Sequence, residues 1–329
     1  MKPCTKKRCS FVLALGMLFS LAPTTAFAQT KQTQEAETVS VGFIKDGERS
    51  TLFNQNWKFF KGDPSGASET NFNDSSWRVL NLPHDWSIEG EFTVQGEAES
   101  GFLLGGTGWY RKHFVVPEKF NGKDFTLNFD GVYMNAEVYV NGKKLGSHNY
   151  GYTSFAFDIT DELICDGITE NVISVKVSNP TPSSRWYSGS GIYRDVTLSV
   201  TDSIHVGYLG TTVTTPKLKD QKSGNVDVNV STTVENESLS DSEVTLKTTI
   251  INNDGKEVST PVSEKKVVQV NKSVDFEQTA IVNKPTLWSV DNPTMYKVKT
   301  EVIVGDKVVD TTLTDFGFRY YEFDRDTGF

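Results

Sequence analysis

Four groups of residues have types and spacing that could do chemistry. The first lies in the run 180–196, P-T-P-S-S-R-W-Y-S-G-S-G-I-Y-R-D-V, which sets Arg185 beside Trp186. Its two prolines, four serines and two glycines forbid a regular helix and break any strand before Ile192. Large side chains in such a loop either staple it to its own domain or touch a ligand. An indole stacks on the C–H face of a sugar, and a planar guanidinium donates to vicinal hydroxyls. Composition alone leaves both readings open. The second group is His84-Asp85 in L-P-H-D-W. Pro83 ends the preceding run, so the pair sits in a loop, where it either holds that loop by local hydrogen bonds or meets a ligand. The third is Glu97 and Glu99 in the stretch from Gly96 to Gly108, which holds five glycines and reads as a long mobile loop. Such a loop fixes no acid/base geometry. It is not a phosphate loop either, because no Gly-Lys-Ser/Thr follows. The fourth is the histidines. His84, His113, His148 and His205 stand far apart without partnered cysteines, so spacing indicates no metal centre. Only a metal held by side chains scattered along the chain is left open.

Length and charge bound the rest. A chain of 329 residues suits two or three domains. The net charge of −9 is spread without a basic patch, which excludes nucleic acid as an expected partner. Lys2, Lys6, Lys7 and Arg8 precede an apolar run from Phe11 to Leu21, and Ala26-Phe27-Ala28 follows as a small-x-small cleavage site. This reads as a secretory signal peptide over 1–28, cut near Ala28, which places the mature protein outside the cell or at its surface. No later apolar run approaches spanning length, so no membrane span is expected after cleavage. Cys4 and Cys9 lie in the signal and only Cys165 survives, so stability must come from buried cores rather than disulfides. Residues 29–45 are polar and aperiodic and read as a flexible leader.

The elements that must position these groups are strands. Trp77, Val79 and Leu82 form an expected inward-facing set. Trp109 to Val116, Phe125-Leu127-Phe129 and Ala136-Val138-Val140 alternate, and Asn141-Gly142 is a hairpin turn. Phe155-Phe157-Ile159, Val172 to Val177 and Ile192 to Val200 follow. No long 3.6-residue period occurs, so 46–202 is expected to be an all-β jelly-roll sandwich. Aromatics thin out near Asp202. Beyond it, about seven valine- and threonine-rich strands over 203–316 suit an immunoglobulin-like sandwich. Pro285, Leu287 and Trp288 plug one end. Thr314 to Phe323 reads as a further strand, and Asp324 to Gly328 as a hairpin turn whose return strand is missing.

Taken together, the motifs are those of a known family. D-S-S-W-R-V-L-N-L-P-H-D-W, G-G-T-G-W-Y-R-K-H-F, F-D-G-V-Y-M-N-A-E-V-Y-V-N-G-K-K-L-G-S-H-N-Y-G-Y-T-S-F-A-F-D-I-T, S-S-R-W-Y-S-G-S-G-I-Y-R-D-V, L-W-S-V-D-N-P-T-M-Y and F-G-F-R-Y-Y-E-F-D occur in family order from residue 50 onward. The chain resembles the N-terminal portion of secreted bacterial β-galactosidases of glycoside hydrolase family 2. The resemblance implies a galactose-binding-like jelly roll, an immunoglobulin-like domain, and then a TIM barrel that holds both catalytic glutamates. That barrel is absent from these residues, and 317–329 reads as a stub leading to it. The resemblance therefore implies no catalytic residue here, and a chain inactive alone that works with a barrel in cis or in trans. It implies that Asp85, Arg185 and Trp186 help wall the subsite of a β-galactoside. Arg185 would donate to a hydroxyl, Trp186 would stack, and Asp85 would accept from a hydroxyl or orient Arg185. Some members bind sodium through acidic residues in the later loop. This sequence has no acid between Thr181 and Tyr193, so neither a sodium or magnesium site of that kind nor any other cofactor is expected. The alternative is a secreted carbohydrate-binding module that stands alone.

Overall fold

The computed structural model describes Ile44, residues 48–182 and residues 184–328. The signal peptide and all of the leader except Ile44 lie outside the described residues. Ile44 itself is buried against the first core.

Ten strands build the first sandwich. They are β1 (Ser50–Leu52), β2 (Trp57–Lys61), β3 (Arg78–Leu80), β4 (Gly106–Val115), β5 (Asp124–Phe129), β6 (Ala136–Val140), β7 (Lys143–His148), β8 (Phe155–Asp158), β9 (Glu170–Asn179) and β10 (Val196–Thr201). One sheet runs β3-β2-β4-β9-β6-β7 and faces another running β1-β10-β5-β8, with every pairing antiparallel. The jelly roll expected from the strand spacing is the fold. Alternation holds where one face meets the core and the other meets water, as in β5 and β6. The core between the sheets is aromatic, with Phe53 edge-on to Phe114 at 5.1 Å and Phe129 stacked on Phe155 at 5.0 Å. Asn141 and Gly142 take positive φ of 48° and 84°, which suits the tight β6–β7 turn.

Strand β4 departs from the expected alternation, since Trp109, Tyr110, Arg111 and Lys112 are all buried. Both of its faces are covered. Tyr110 and Phe114 enter the inter-sheet core, while the segment between β2 and β3 folds over the outer face. A buried ion network locks that segment down. Asp74 accepts from Arg111 Nε at 2.6 Å, Lys58 Nζ at 2.6 Å and His113 Nε2 at 2.7 Å. Arg111 also donates to the Glu69 carbonyl and the Ser174 hydroxyl, both at 3.0 Å. Trp77 packs on this outer cluster rather than in the main core. Val79 follows it onto the same face of a three-residue edge strand, beyond the reach of the covering segment, and is 61 % exposed. It therefore does not belong to the inward set expected for it.

Seven strands and one helical turn build the second sandwich: β11 (Ile204–Thr214), α1 (Leu218–Gln221), β12 (Asn225–Asn236), β13 (Ser242–Asn252), β14 (Val262–Val268), β15 (Lys272–Asn283), β16 (Tyr296–Val304) and β17 (Lys307–Phe316). Sheet β11-β12-β15 faces sheet β14-β13-β16-β17, the immunoglobulin-like arrangement. The two apolar runs at 274–276 and 280–282 are parts of the single strand β15. The aromatic stretch after Thr314 is not all strand. β17 stops at Phe316, Phe318 is buried against Leu287 and Tyr296, and Tyr321 and Phe323 stay exposed. Arg49 joins the sandwiches: it donates to Asp310 and to the Val206 carbonyl, and Asp310 also accepts from the Val206 amide at 2.9 Å. Among the described residues no helix is long and apolar enough to cross a membrane.

Burial alone would raise the Asp74 carboxyl, but the hydrogen bonds from Lys58, His113 and Arg111 outweigh it and hold the group down to about 2. A carboxyl depressed by folding stabilises above its unfolded value near 4, and that contribution, about 2 kcal/mol, is lost as pH falls from about 4 through about 2. Asp74→Asn should cost about 3 kcal/mol at neutral pH by leaving Arg111 buried without its partner. It should also flatten the acid limb of stability between about pH 4 and 2. Urea unfolding across that range measures both, and a midpoint equal to wild type would show that the network contributes nothing.

Candidate functional site

The loop at 180–191 has no sheet to satisfy its backbone, and Asp85 supplies partners instead. Asp85 Oδ1 accepts from the amides of Ser87 at 2.9 Å and Ser190 at 2.8 Å, and Oδ2 accepts from the Tyr187 hydroxyl. The two loops also pair directly. The His84 amide donates to the Ile192 carbonyl at 2.8 Å, and the Trp86 amide donates to the Ser190 carbonyl at 3.0 Å. Below them Ser190 Oγ accepts from Ser87 Oγ at 2.7 Å and from Asn179 Nδ2 at 2.8 Å. The two glycines of S-G-S-G are steric requirements. Gly189 has φ +67°, and a Cβ there would lie 2.6 Å from Asp85 Oδ2. Gly191 has φ +130°, and its Cβ would meet the Tyr110 hydroxyl at 2.4 Å. Burial first, and then the Asp85 carboxylate, push the Tyr187 phenol up, so it remains a donor.

His84 belongs to the floor of this arrangement. Its Nδ1 lies 2.7 Å from the Tyr110 hydroxyl, and its Nε2 lies 2.9 Å from an Arg78 nitrogen and 3.2 Å from Glu89. Burial lowers its pKa, ahead of the opposing pull of Glu89. Tyr193, Arg194 and Asp195 also serve the structure. Tyr193 donates to the Gly151 carbonyl at 2.7 Å, Arg194 lies over the Tyr193 ring, and Asp195 accepts from Asn54 at 2.8 Å.

Of the three residues singled out from the sequence, Asp85 thus has the stapling geometry, and no hydrogen bond joins it to Arg185. Arg185 is exposed and makes no hydrogen bond or ion pair among the described residues. Trp186 is 58 % exposed, and its Nε1 donates to the Tyr152 hydroxyl at 2.8 Å. Tyr152 in turn stands edge-on to Tyr150 at 5.7 Å and to Tyr133 at 5.3 Å. Tyr150 and Tyr152 are site residues that the sequence reading passed over. The signal was present in N-Y-G-Y, two large aromatics around a glycine between β7 and β8, which is the same oddity that marked Trp186. The result is a shelf of exposed aromatic rings, fixed from beneath, with an uncommitted guanidinium in its own chain segment. Such a shelf can stack on a flat apolar ring face and donate to hydroxyls. Glu97 and Glu99 do not join it, and among the described residues no pair of carboxylates faces this shelf.

This division of labour has a thermal signature. Asp85→Ala removes the acceptor of two amides and a phenol, so it should cost about 2 kcal/mol and lower Tm by roughly 5 °C. Trp186→Ala should change stability by less than about 1 kcal/mol, since more than half of the ring is already in water. Calorimetric melts compare the two. Equal losses would make Trp186 part of the staple rather than of an exposed surface.

Residues 80–202 match the sugar binding domain of glycosyl hydrolases family 2, and residues 207–319 match a second domain described as glycosyl hydrolases family 2. The chain is 42 % identical over 293 residues to a β-galactosidase of Bacteroides ovatus, covering 88 % of this chain and 34 % of that one. It is 37 % identical to a putative β-glucuronidase of Formosa agariphila, covering 85 % of this chain and 26 % of the relative. Among solved structures, a glycosyl hydrolase family 2 member from Bacteroides cellulosilyticus superposes with a TM-score of 0.78 at 36 % identity, over 85 % of this chain and 36 % of that one. The chain thus spans about a third of the length of these relatives. The sugar-binding jelly roll, the immunoglobulin-like sandwich after it and these relatives agree: the chain belongs to glycosyl hydrolases family 2 and corresponds to the N-terminal part of its β-galactosidase and β-glucuronidase members.

Proposed function

We propose that this chain is the non-catalytic N-terminal portion of a β-galactosidase-like hydrolase of terminal β-galactosides, and that it gives a TIM-barrel domain one wall of the sugar subsite together with a scaffold. The observation that carries the reading is the exposed Trp186–Tyr152–Tyr150 shelf, held rigid by the Asp85 staple and flanked by Arg185. Trp186 stacks on the galactose ring and Arg185 donates to its hydroxyls. Asp85 acts through the loop it holds. Residues 46–202 form the sugar-binding domain, 203–316 the immunoglobulin-like domain and 317–329 the entry to the barrel. The protein reaches the cell surface or exterior through the signal over 1–28.

Chemistry supports assigning hydrolysis elsewhere. Retaining glycoside hydrolysis needs two carboxyl groups about 5 to 5.5 Å apart with the glycosidic bond between them. Asp124 and Glu237, whose carboxylate oxygens come within 4.8 Å of each other, line a cavity between the sandwiches. They also lie away from the aromatic shelf. The alternative, a carbohydrate-binding module that works alone, is favoured by one feature: the shelf is open to solvent in the chain by itself.

The purified chain should show no turnover of a chromogenic β-galactoside above background, and only weak, millimolar-range binding of galactose by calorimetry, because one wall must offset the full entropy of association. Trp186→Ala should weaken that binding by about tenfold. Turnover well above background overturns the non-catalytic assignment. Sub-millimolar affinity lost in Trp186→Ala favours the stand-alone module.

A further inference from the structure

A second constellation lies where the sandwiches meet. Asp124 opens β5 in the jelly roll, His205 is the second residue of β11, and Glu237 directly follows β12 in the immunoglobulin-like domain. They are far apart in sequence, yet one ligand atom from each lies within 4.8 Å of the other two. They line a cavity of about 230 Å³ between the domains, along with Asp158, Glu235 and Arg49.

Two buried atoms of the cluster make no hydrogen bond. His205 is only 7 % exposed. Its Nδ1 lies 2.9 Å from the Asp202 carbonyl, and with the proton there Nε2 carries the lone pair. The nearest carboxylate to Nε2 is Glu235, an ion-pair partner at 3.7 Å and beyond hydrogen-bonding range, so this ring nitrogen of a side chain more than nine-tenths buried makes no hydrogen bond. Asp124 Oδ2 is buried and finds no donor. The charges agree with this. Four carboxyl groups line the cavity, and of the two cationic candidates Arg49 is already committed to Asp310 and the Val206 carbonyl. Burial, then the neighbouring Asp124, Asp158 and Glu235, push Glu237 up to about 7. Burial likewise raises Asp124, against the opposing pull of His205.

We infer that Asp124, His205 and Glu237 form a divalent-cation site of the zinc class that staples the two sandwiches together. One imidazole and two carboxylates are a borderline donor set, which suits zinc better than magnesium or calcium, whose sites are built from oxygen alone. The His205–Asp202 carbonyl bond is the outer contact by which proteins orient a ligating imidazole. Three ligands leave a coordination position for water, and a cavity of about 230 Å³ has room for it. Since Asp124 comes from one sandwich and the other two ligands from its neighbour, a bound cation stabilises the native domain arrangement by mass action. This inference is independent of the sugar reading.

The test is calorimetric titration of the full chain, freed of metal by a chelator, with zinc chloride and separately with calcium and magnesium chlorides. One equivalent of zinc should bind at micromolar Kd or tighter, more tightly than calcium or magnesium, and should raise Tm by about 5 °C. Asp124→Asn, His205→Gln and Glu237→Gln should each weaken zinc by at least about tenfold. Glu237 is the most exposed of the three ligands, so its variant keeps the test decisive even if the His205 variant folds poorly. His113→Gln should leave the affinity unchanged, although His113 also lies between two carboxylates, Asp74 and Glu170. No zinc binding, wild-type affinity in Glu237→Gln, loss of binding in His113→Gln, or calcium binding as tight as zinc would each overturn the inference.

Discussion

The loop end of the jelly roll depends on one requirement: two irregular loops must satisfy their backbone groups without a sheet. Buried amides that lack partners cost about as much as a lost hydrogen bond each, and a loop rich in serine and glycine has no apolar mass to offset that cost. Asp85 meets the requirement. One carboxylate takes two amides and a phenol, and draws the segment at 180–191 onto the end of the jelly roll. Tyr187 turns its hydroxyl to Asp85 as a consequence, and Trp186, its neighbour, is the more exposed ring. The exposed ring is therefore fixed by contacts it does not itself make, apart from the single bond to Tyr152.

The same logic recurs in the rest of the fold. The outer face of β4 is closed by charge as well as by apolar packing, with Arg111 fully buried and held by Asp74 and the carbonyls of Ala67 and Glu69. In the second sandwich a belt of Thr232, Thr248, Gln278 and Thr300 separates two valine-rich clusters, and Gln278 bonds both Thr248 and the Leu246 carbonyl. Both sandwiches thus place polar groups inside, most of them paired, although the hydroxyls of Thr232 and Thr300 make no hydrogen bond. Such networks specify register more than they add stability, because each partner is costly to leave unmet.

How much of this was legible in the sequence depended on how local the cause was. Period-two strands such as β5, β6 and β12 depend on their own side chains, and the Asn141-Gly142 turn on two backbone angles, so both could be read directly. The motif series carried the family, because many weak local signals in a fixed order make a strong one. The double burial of β4 could not be read, since it depends on a segment that returns from over thirty residues earlier. Asp85 can be singled out by its position but not given one role from sequence, because a carboxylate in a loop looks alike whether it binds a ligand or a backbone. Tyr150 and Tyr152 join Trp186 only through tertiary folding. The Asp124–His205–Glu237 cluster has no sequence signature at all, as its members lie on three separate strands or their ends.

The central claim is that the Trp186 shelf is a sugar-facing surface. Nuclear magnetic resonance of the six tryptophan indole N–H groups during titration with methyl β-galactoside tests it most directly. The account expects the Trp186 resonance, whose proton lies on the Tyr152 hydroxyl, to move in a saturable way while those of buried Trp57 and Trp86 stay fixed. A titration that leaves the Trp186 resonance in place, or that shifts the buried indoles instead, would contradict it.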